Sequence, residues 1–315
     1  MSFDFYQYLS RELRHDEEIE DIDIYPHDLA CGFLARCAVE AASVKGVQEQ
    51  REDKNRARSR YLYAVQSARN MLLPEVIASY QSVEGMQPGW LLIEVSFTLQ
   101  TPWYSKDDRP FHVLDNPVRK DRVFGVPFMS AAGWKGLLRW VLATRSGLIG
   151  PTTALDEKKK EKAQAVIMHL FGNEKGETDE FHRGALVFFP TWFDRIGIEV
   201  INPHRRQTRT GSQPIYYEVV PPLTKGQLRL LYAPMPYQAW RDRVKVKETM
   251  ENLVDAVNAL LTQYGFSAKR TSGWGLASVD WWAVQGADSM KYTYSKLDEL
   301  KNRLSNLLQT EEDQS

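Results

Sequence analysis

The chain has 315 residues, of which 43% are hydrophobic and 26% are charged. This composition suits one large or two modest globular domains and excludes collagen-like and wholly disordered chains. The 40 basic and 41 acidic residues nearly cancel, which excludes the global positive field of a non-specific DNA-binding protein, so any phosphate-binding surface must be local.

Other sequence features bear on cellular location. No apolar run approaches the roughly 20 residues that span a bilayer, and the acid-rich N-terminus does not resemble a signal peptide. The two cysteines, Cys31 and Cys37, have no second pair with which to form a zinc ribbon. We therefore expect a cytoplasmic protein with no membrane partner.

The first 88 residues lack the two-residue period of strands, and residues 1–88 are predicted to form a helical N-terminal extension. The period changes at Leu91, from which alternating apolar residues predict a strand to Leu99. A long polar loop, residues 101–127, follows. Long loops are frequently functional, because ordinary connections need only about 2–6 residues.

The rest of the chain predicts two apolar helices among several strands. Trp134, Leu137, Leu138 and Val141 form one apolar stripe of the first helix, and Ser130 precedes it as a candidate N-cap. A polar helix is expected near residues 151–165, and the second apolar helix covers residues 249–264. Strands are expected at residues 185–193, 198–201, 215–220, 227–233 and 276–282.

This order of elements predicts the fold class. It favours an α+β sandwich of the ferredoxin-like (RRM-like) type, in which helices cover one face of an antiparallel sheet. We assign this domain to residues 89–285, and we expect a C-terminal helix and polar tail at residues 286–315.

Two segments have the chemistry of phosphate binding. In residues 124–139, small residues and a cap precede a helix that carries Lys135 and Arg139, so N–H groups, the positive helix dipole and cations are combined. In residues 265–275, Lys269 and Arg270 accompany Gly273, Trp274 and Gly275; the glycines allow close backbone approach, and the indole can stack on a base. The alternatives are a capped surface helix and an ordinary glycine turn.

Four ordered motifs resemble the RAMP superfamily, the repeat-associated proteins of CRISPR effector complexes. The first is the segment from residue 127 to residue 139, which matches the family pattern at Pro127, Ser130, Lys135, Gly136 and Arg139. The other three are Leu170-Phe-Gly, Gly184-Ala-Leu-Val-Phe-Phe and the glycine turn at residues 265–275. The resemblance covers about residues 90–282. It implies a guide-RNA-binding subunit in antiviral defence, with guide RNA, target RNA and other effector subunits as partners.

Two further stretches suggest different subunits of type III complexes. Asp115-Asn-Pro-Val-Arg-Lys-Asp121 is similar to a run in the backbone subunits, whose aspartate cleaves target RNA. This likeness implies that Asp115 is catalytic and holds Mg²⁺ or another divalent cation. Two alternatives stay open: Asp107, Asp108 or Asp121 of the same loop could serve instead, and an aspartate before Asn-Pro is also an ordinary turn residue. By contrast, Val200-Ile-Asn-Pro-His204 is similar to the non-catalytic subunit that caps the 3′ end of the guide.

A second group of cations lies in a predicted loop and could also contact RNA: His204, Arg205, Arg206 and Arg209. Two other functions remain open. One is a metal-independent endoribonuclease that matures the guide, with His112 or His204 as general acid or base. The other is a non-catalytic protein scaffold. We expect the N-terminal region, which lies outside the resemblance, to dock against another subunit.

Overall fold

A computed structural model describes residues 58, 59, 61, 62, 65, 66, 83, 85–107, 112, 114–121, 125–150, 156–173, 181–203, 214–235, 244–287 and 290–312. The chain divides into two compact units. The first comprises the described part of residues 1–74 together with Pro102–Phe128 and Trp192–Thr224. The second comprises the described part of residues 75–101, Met129–Thr191 and the described residues from Lys225 onward.

The strands in chain order are β1 (Leu91–Leu99), β2 (Phe128–Met129), β3 (Leu186–Phe188), β4 (Thr191–Trp192), β5 (Gly197–Ile201), β6 (Ile215–Val219), β7 (Lys225–Tyr232), β8 (Ala277–Gln285) and β9 (Lys291–Tyr294). The helices are α1 (Ala131–Arg145), α2 (Glu157–Phe171), α3 (Val246–Ala259) and α4 (Leu297–Glu312). Helix α3 continues as a π-helical turn, Leu260–Tyr264. No helix among the described residues is long and apolar enough to cross a membrane.

The second unit contains one five-stranded sheet in the order β3-β7-β1-β8-β9. Its pairs β1·β7, β1·β8, β3·β7 and β8·β9 are all antiparallel. Helices α1 and α2 connect β1 to β3, and α3 connects β7 to β8. The elements β1, α1, β3, β7, α3 and β8 therefore form the β-α-β-β-α-β arrangement of a ferredoxin-like fold, which confirms the predicted fold class.

The apolar core of this unit explains why the helices lie on the sheet. Ile93, Val95, Phe97 and Leu99 alternate along β1 and are fully buried. The ring of Phe97 lies 6.3 Å from the ring of Trp134 in α1 and 5.3 Å from that of Phe266, which follows α3. Alternation along β1 thus supplies the inward face that both helical connections cover.

The described part of the first unit comes largely from two long insertions, Pro102–Phe128 and Trp192–Thr224. β5 and β6 pair as an antiparallel hairpin, from Gly197 opposite Val219 to Ile201 opposite Ile215. Trp103 exchanges two 2.9 Å backbone hydrogen bonds with Val220. The predicted loop at residues 101–127 is therefore partly ordered by isolated bridges, two of them within the loop and two, at Trp103 and Asn116, to residues about 100 positions away in sequence.

Most expected elements are present, with shifted bounds. The strand expected at residues 185–193 is divided into β3 and β4, and the helix predicted near residues 151–165 is α2 at Glu157–Phe171. Strand β9 was not predicted, and it separates the domain from the C-terminal helix, which is α4. Most of the expected helical extension, residues 1–88, lies outside the described residues. The described residues 58, 59, 61, 62, 65 and 66 are helical.

Candidate nucleic-acid interface

Helix α1 begins as its sequence predicts. The Ser130 hydroxyl oxygen accepts a hydrogen bond of 3.1 Å from the Gly133 N–H, which confirms Ser130 as the N-cap. The first turn contains no acidic residue, so no side-chain charge there offsets the positive end of the helix dipole. Lys135 is exposed on the second turn.

Arg139 has a role that its sequence position did not predict. Its Nη1 donates a 3.0 Å hydrogen bond to the Gly172 carbonyl oxygen, at the C-cap of α2. The side chain is half-buried. The guanidinium therefore links α1 to the end of α2, where the helix has orphan carbonyl groups to satisfy.

Residues 265–275, the glycine turn, form a loop that closes on itself. The Phe266 N–H donates a 3.0 Å hydrogen bond to the Gly275 carbonyl oxygen. Gly275 has φ +82°, and a Cβ atom there would lie 2.5 Å from the Ser267 nitrogen. Gly275 is therefore required by the packing of the turn, whereas Gly273, with φ +78°, is exposed and has open space around it.

Aromatic contacts join the glycine turn to α1. The ring of Trp134 lies 4.8 Å from that of Phe266, and the Arg270 guanidinium lies 4.5 Å from the Trp140 ring centroid, a cation–π contact. The structure thus brings together the two segments that the sequence nominated separately. We call the following residues the basic surface: Lys135, Lys269, Arg270, Gly273 and Trp274. Lys135 and Gly273 are exposed, and the other three are half-buried.

The second predicted group of RNA-binding cations cannot be located in the same way. His204, Arg205, Arg206 and Arg209 lie outside the described residues. The preceding segment, to Pro203, ends just beyond β5.

Asp115 is an exposed residue on an anchored segment of the first unit. Residues 114–121, the Asp115 loop, pair on one side with residues 105–107: Asp107 N–H donates to Pro117 O at 3.1 Å, and Arg119 N–H donates to Ser105 O at 2.7 Å. On the other side, the Glu218 N–H donates to Asn116 O at 3.0 Å. The Asp115 side chain is 74% exposed.

The Asp115 carboxylate nevertheless has a partner. Arg58 Nη2 lies 3.1 Å from Asp115 Oδ2, in an ion pair between two residues 57 positions apart in sequence. The Arg58 side chain is 23% exposed. Part of the N-terminal region therefore contacts the predicted catalytic residue within the same unit.

Beneath the Asp115 loop lies a group of buried polar residues, the buried cluster: Tyr61, His112, Lys120 and Glu218. The Glu218 carboxylate is fully buried and accepts hydrogen bonds from the Tyr61 hydroxyl, from Lys120 Nζ at 2.6 Å and from the Val118 N–H at 3.0 Å. One buried anion thus holds two points of the Asp115 loop and one point of the N-terminal region.

The cluster perturbs the ionisation of its members. Burial raises the pKa of Glu218, but the charge of Lys120 and the donated hydrogen bonds outweigh burial and bring that pKa below its ordinary value. Burial, reinforced by the charge of Glu218, holds the pKa of Tyr61 well above its usual value. Both effects favour a carboxylate that accepts from a protonated phenol.

His112, a candidate general acid or base, lies in this interior. Its side chain is 6% exposed, Nδ1 accepts a 3.1 Å hydrogen bond from the Leu114 N–H, and Nε2 lies 4.0 Å from a Glu218 oxygen. Burial lowers the pKa of His112. A general acid or base must reach its substrate, and this buried imidazole does not, which argues against the endoribonuclease that uses His112.

Sequence reasoning did not single out Glu218, Tyr61 or Arg58. A signal for Glu218 was present, because an acidic residue between apolar strand residues requires a buried cation. Its partner Lys120 stands in the Asp115-Asn-Pro-Val-Arg-Lys run. Nothing in the sequence pairs either residue with positions 58 or 61, because that contact depends on tertiary structure.

The resemblance at Asp115 implies a divalent metal ion, which needs several oxygen ligands. Among the described residues, no group of three or more His, Cys, Asp or Glu side chains could hold a metal ion. Asp115 offers one carboxylate, which a guanidinium already contacts. The described residues therefore do not build a site for a resident metal.

Comparisons with known proteins identify a family and similar solved structures. The model of the RAMP superfamily matches residues 96–278, more than half of the chain. A chain in the cryo-EM structure of the type III-B Cmr-beta bound to cognate target RNA is 14% identical, with 77% of this chain and 78% of that chain covered and a TM-score of 0.54. A chain in the crystal structure of the Csm3-Csm4 subcomplex of the type III-A CRISPR-Cas interference complex is 16% identical over 70% and 97% of the two chains, with a TM-score of 0.41. No curated protein matches the sequence.

Proposed function

The chain belongs to the RAMP superfamily, and we propose that it is a guide-RNA-binding subunit of a type III CRISPR effector complex. The observation that carries this proposal is the junction of α1 with the glycine turn, where Trp134 packs on Phe266 and Arg270 on Trp140. This junction places two cation-bearing segments side by side. Family membership and the fold shared with a type III-B structure support the assignment.

The chemistry of the basic surface suits an RNA guide. In guide complexes, base pairing reads the sequence and the protein recognises mainly backbone and shape. Lysines at positions 135 and 269 suit phosphates as mobile point charges. The half-buried Trp274 indole suits base stacking that is insensitive to sequence.

A double charge reversal tests this assignment. In the purified complex, Lys135→Glu with Lys269→Glu should abolish or strongly reduce co-purified short RNA without changing the unfolding midpoint, because neither side chain is in the core. Each lost phosphate contact should lower the slope of log affinity against log salt by about 0.7, hence about 1.4 for both.

The matched control reverses the charge of two exposed lysines of α2, Lys158 and Lys159. This control should keep its RNA. Equal RNA content in both variants and the unmutated complex would contradict the proposed surface. Absence of short RNA from the unmutated complex would favour the protein scaffold.

Cleavage of target RNA is a second candidate function, supported by the exposure of Asp115 on a loop anchored at both sides. In this reaction the ribose 2′-oxygen attacks the adjacent phosphorus, the bond to the 5′-oxygen breaks, and a 2′,3′-cyclic phosphate and a 5′-hydroxyl remain. The Asp115 carboxylate would accept the proton that leaves the 2′-hydroxyl, and a water molecule would donate a proton to the departing 5′-oxygen. The expectation of Mg²⁺ at Asp115 remains a prediction, and EDTA tests it separately.

The decisive variant is Asp115→Asn, which keeps the shape of the side chain and removes its charge. It should eliminate one cut site and leave target affinity equal or slightly higher, because a negative charge near phosphates is lost. Asp298→Asn, an exposed aspartate in the first turn of α4, is the control. Undiminished cleavage at every site in the Asp115→Asn complex would leave the chain a non-catalytic guide-holding subunit.

A further inference from the structure

Two residues of the N-terminal region, three positions apart, contact the same loop. Arg58 pairs with the Asp115 carboxylate at 3.1 Å, and Tyr61 donates to Glu218, the buried anion beneath the loop. Residues 58 and 61 are both helical, so a spacing of three places them on one helix face. Tyr61 and Val65 are 98% buried, which anchors this face in the first unit.

The Asp115 loop is also held by β6, the strand that carries Glu218. Glu218 binds Val118 N–H at 3.0 Å and Lys120 Nζ at 2.6 Å, so it fixes the loop at two points beyond Asp115. Asn116 O accepts from the Glu218 N–H at 3.0 Å, and its Nδ2 lies 3.4 Å from Tyr216 O. The loop therefore depends on β6 for its backbone position and on Arg58 for the orientation of the Asp115 carboxylate.

We propose that the helical residues Arg58 and Tyr61 form a clamp that holds the Asp115 loop, and that Arg58 is a positioning residue for the reaction at Asp115. The part concerning the reaction rests on the cleavage proposed above; the clamp itself does not. Arg58 does not act on the substrate in this proposal. It limits the positions of a carboxylate that would otherwise be a mobile side chain on the surface.

The clamp itself is tested by hydrogen exchange of residues 114–121 in the full chain without RNA. Arg58→Ala should raise exchange about two- to fivefold, the worth of an exposed ion pair. Tyr61→Phe should raise it about tenfold or more, because a hydrogen bond to a charged acceptor is lost. Arg145→Ala, an exposed arginine in the last turn of α1, should change nothing. Unchanged exchange in both clamp variants would overturn the proposal.

The positioning role is tested by single-turnover cleavage in the assembled complex. Arg58→Ala should slow the cut at one site about 10- to 100-fold, as expected when a reacting group is displaced by about 1 Å, while target affinity stays constant. Arg58→Lys should recover much of the rate, because it keeps the charge. If Arg58→Ala slows cleavage but leaves hydrogen exchange of the Asp115 loop unchanged, the positioning role is wrong. Arg58 would then be a direct RNA contact.

A charge swap separates the role of the ion pair in holding the loop from the role of the Asp115 carboxylate in cleavage. Arg58→Asp combined with Asp115→Arg should restore slow exchange, because the ion pair is re-formed, and should still lack cleavage at that site. If Asp115→Asn cleaves normally, the proposed cleavage is wrong, and the exchange results continue to decide on the clamp. If the swapped complex cleaves, the positioning role is wrong, because the rate then does not depend on which residue carries the carboxylate.

Discussion

The buried carboxylate of Glu218 gives the sharpest test of how the first unit is held together. Its two oxygens accept from three donors: Tyr61 and Lys120 on Oε1, and the Val118 N–H on Oε2. In the Glu218→Gln variant, an amide NH₂ group replaces one of these two oxygens. Because both oxygens accept hydrogen bonds in the unmutated chain, the NH₂ group faces a donor in either orientation of the amide. The same substitution leaves the Lys120 ammonium, 2% exposed, without a counter-charge.

The expected cost follows from this burial. Removing one partner of a buried ion pair typically costs about 3–5 kcal/mol, because the remaining charge stays desolvated. At 1.4 kcal/mol for each tenfold change, opening of the Asp115 loop should become about 100- to 4,000-fold more frequent. Glu248→Gln is the matched control. It breaks the exposed pair with Lys162, whose side chains are 46% and 51% exposed, and should cost less than about 1 kcal/mol.

A second substitution should reverse most of the loss. Lys120→Met in the Glu218→Gln background removes the uncompensated charge, and the Tyr61 hydroxyl can rotate to accept from the new amide. Replacing a buried ion pair by neutral groups of similar volume is often neutral or stabilising. Exchange of the Val118 and Arg119 amides, measured in all four members of the cycle, should show the double variant within about 1 kcal/mol of the unmutated chain. Additive losses in the double variant would refute the reasoning.

Two other predictions concern backbone geometry and pH. Gly275→Ala should destabilise the second unit by several kcal/mol, because its Cβ would lie 2.5 Å from the Ser267 nitrogen, whereas Gly273→Ala should cost only about 1–2 kcal/mol for its positive φ; equal urea midpoints for the two variants would contradict this. Because the folded pKa of His112 lies below 6.5, the unfolded chain binds the extra proton, so stability should fall as pH drops through 6.5, by up to about 1.4 kcal/mol per pH unit. In the His112→Asn variant, the urea midpoint of unfolding should depend less on pH between 5 and 7. If the plots of midpoint against pH are parallel for the variant and the unmutated chain, His112 is not responsible.

The sequence predicted the second unit well because its signals are local. Alternation in β1 and the stripe of Trp134, Leu138 and Val141 follow from the periods of strands and helices. The bounds of α2 were less accurate, because its first turns are exposed and polar and give no apolar period. Strand β9 was missed because its four residues, Lys-Tyr-Thr-Tyr, are only partly buried on an edge.

The site was predictable only in part. The sequence identified both cation-bearing segments, since caps, glycines and basic residues are visible without a fold. It could not show that Trp134 and Trp140 join those segments, or that Arg58 reaches Asp115 across 57 positions. Those facts depend on tertiary packing, which single-residue propensities do not encode.

The two arginines near α1 make contacts that suit the chemistry of a guanidinium group. The Arg139 and Arg270 guanidinium groups make directed contacts inside the chain, one with the Gly172 carbonyl oxygen and one with the Trp140 ring. A planar guanidinium suits such fixed geometry, whereas a lysine ammonium on a flexible stem adapts to phosphates that differ in position along a strand. Arg270 therefore stabilises the junction of α1 with the glycine turn, and Arg139 links α1 to the end of α2. In the proposed function, contact with the guide phosphates is made by Lys135 and Lys269. Neutralising an arginine should accordingly lower stability first and RNA content second, and neutralising a lysine should do the reverse.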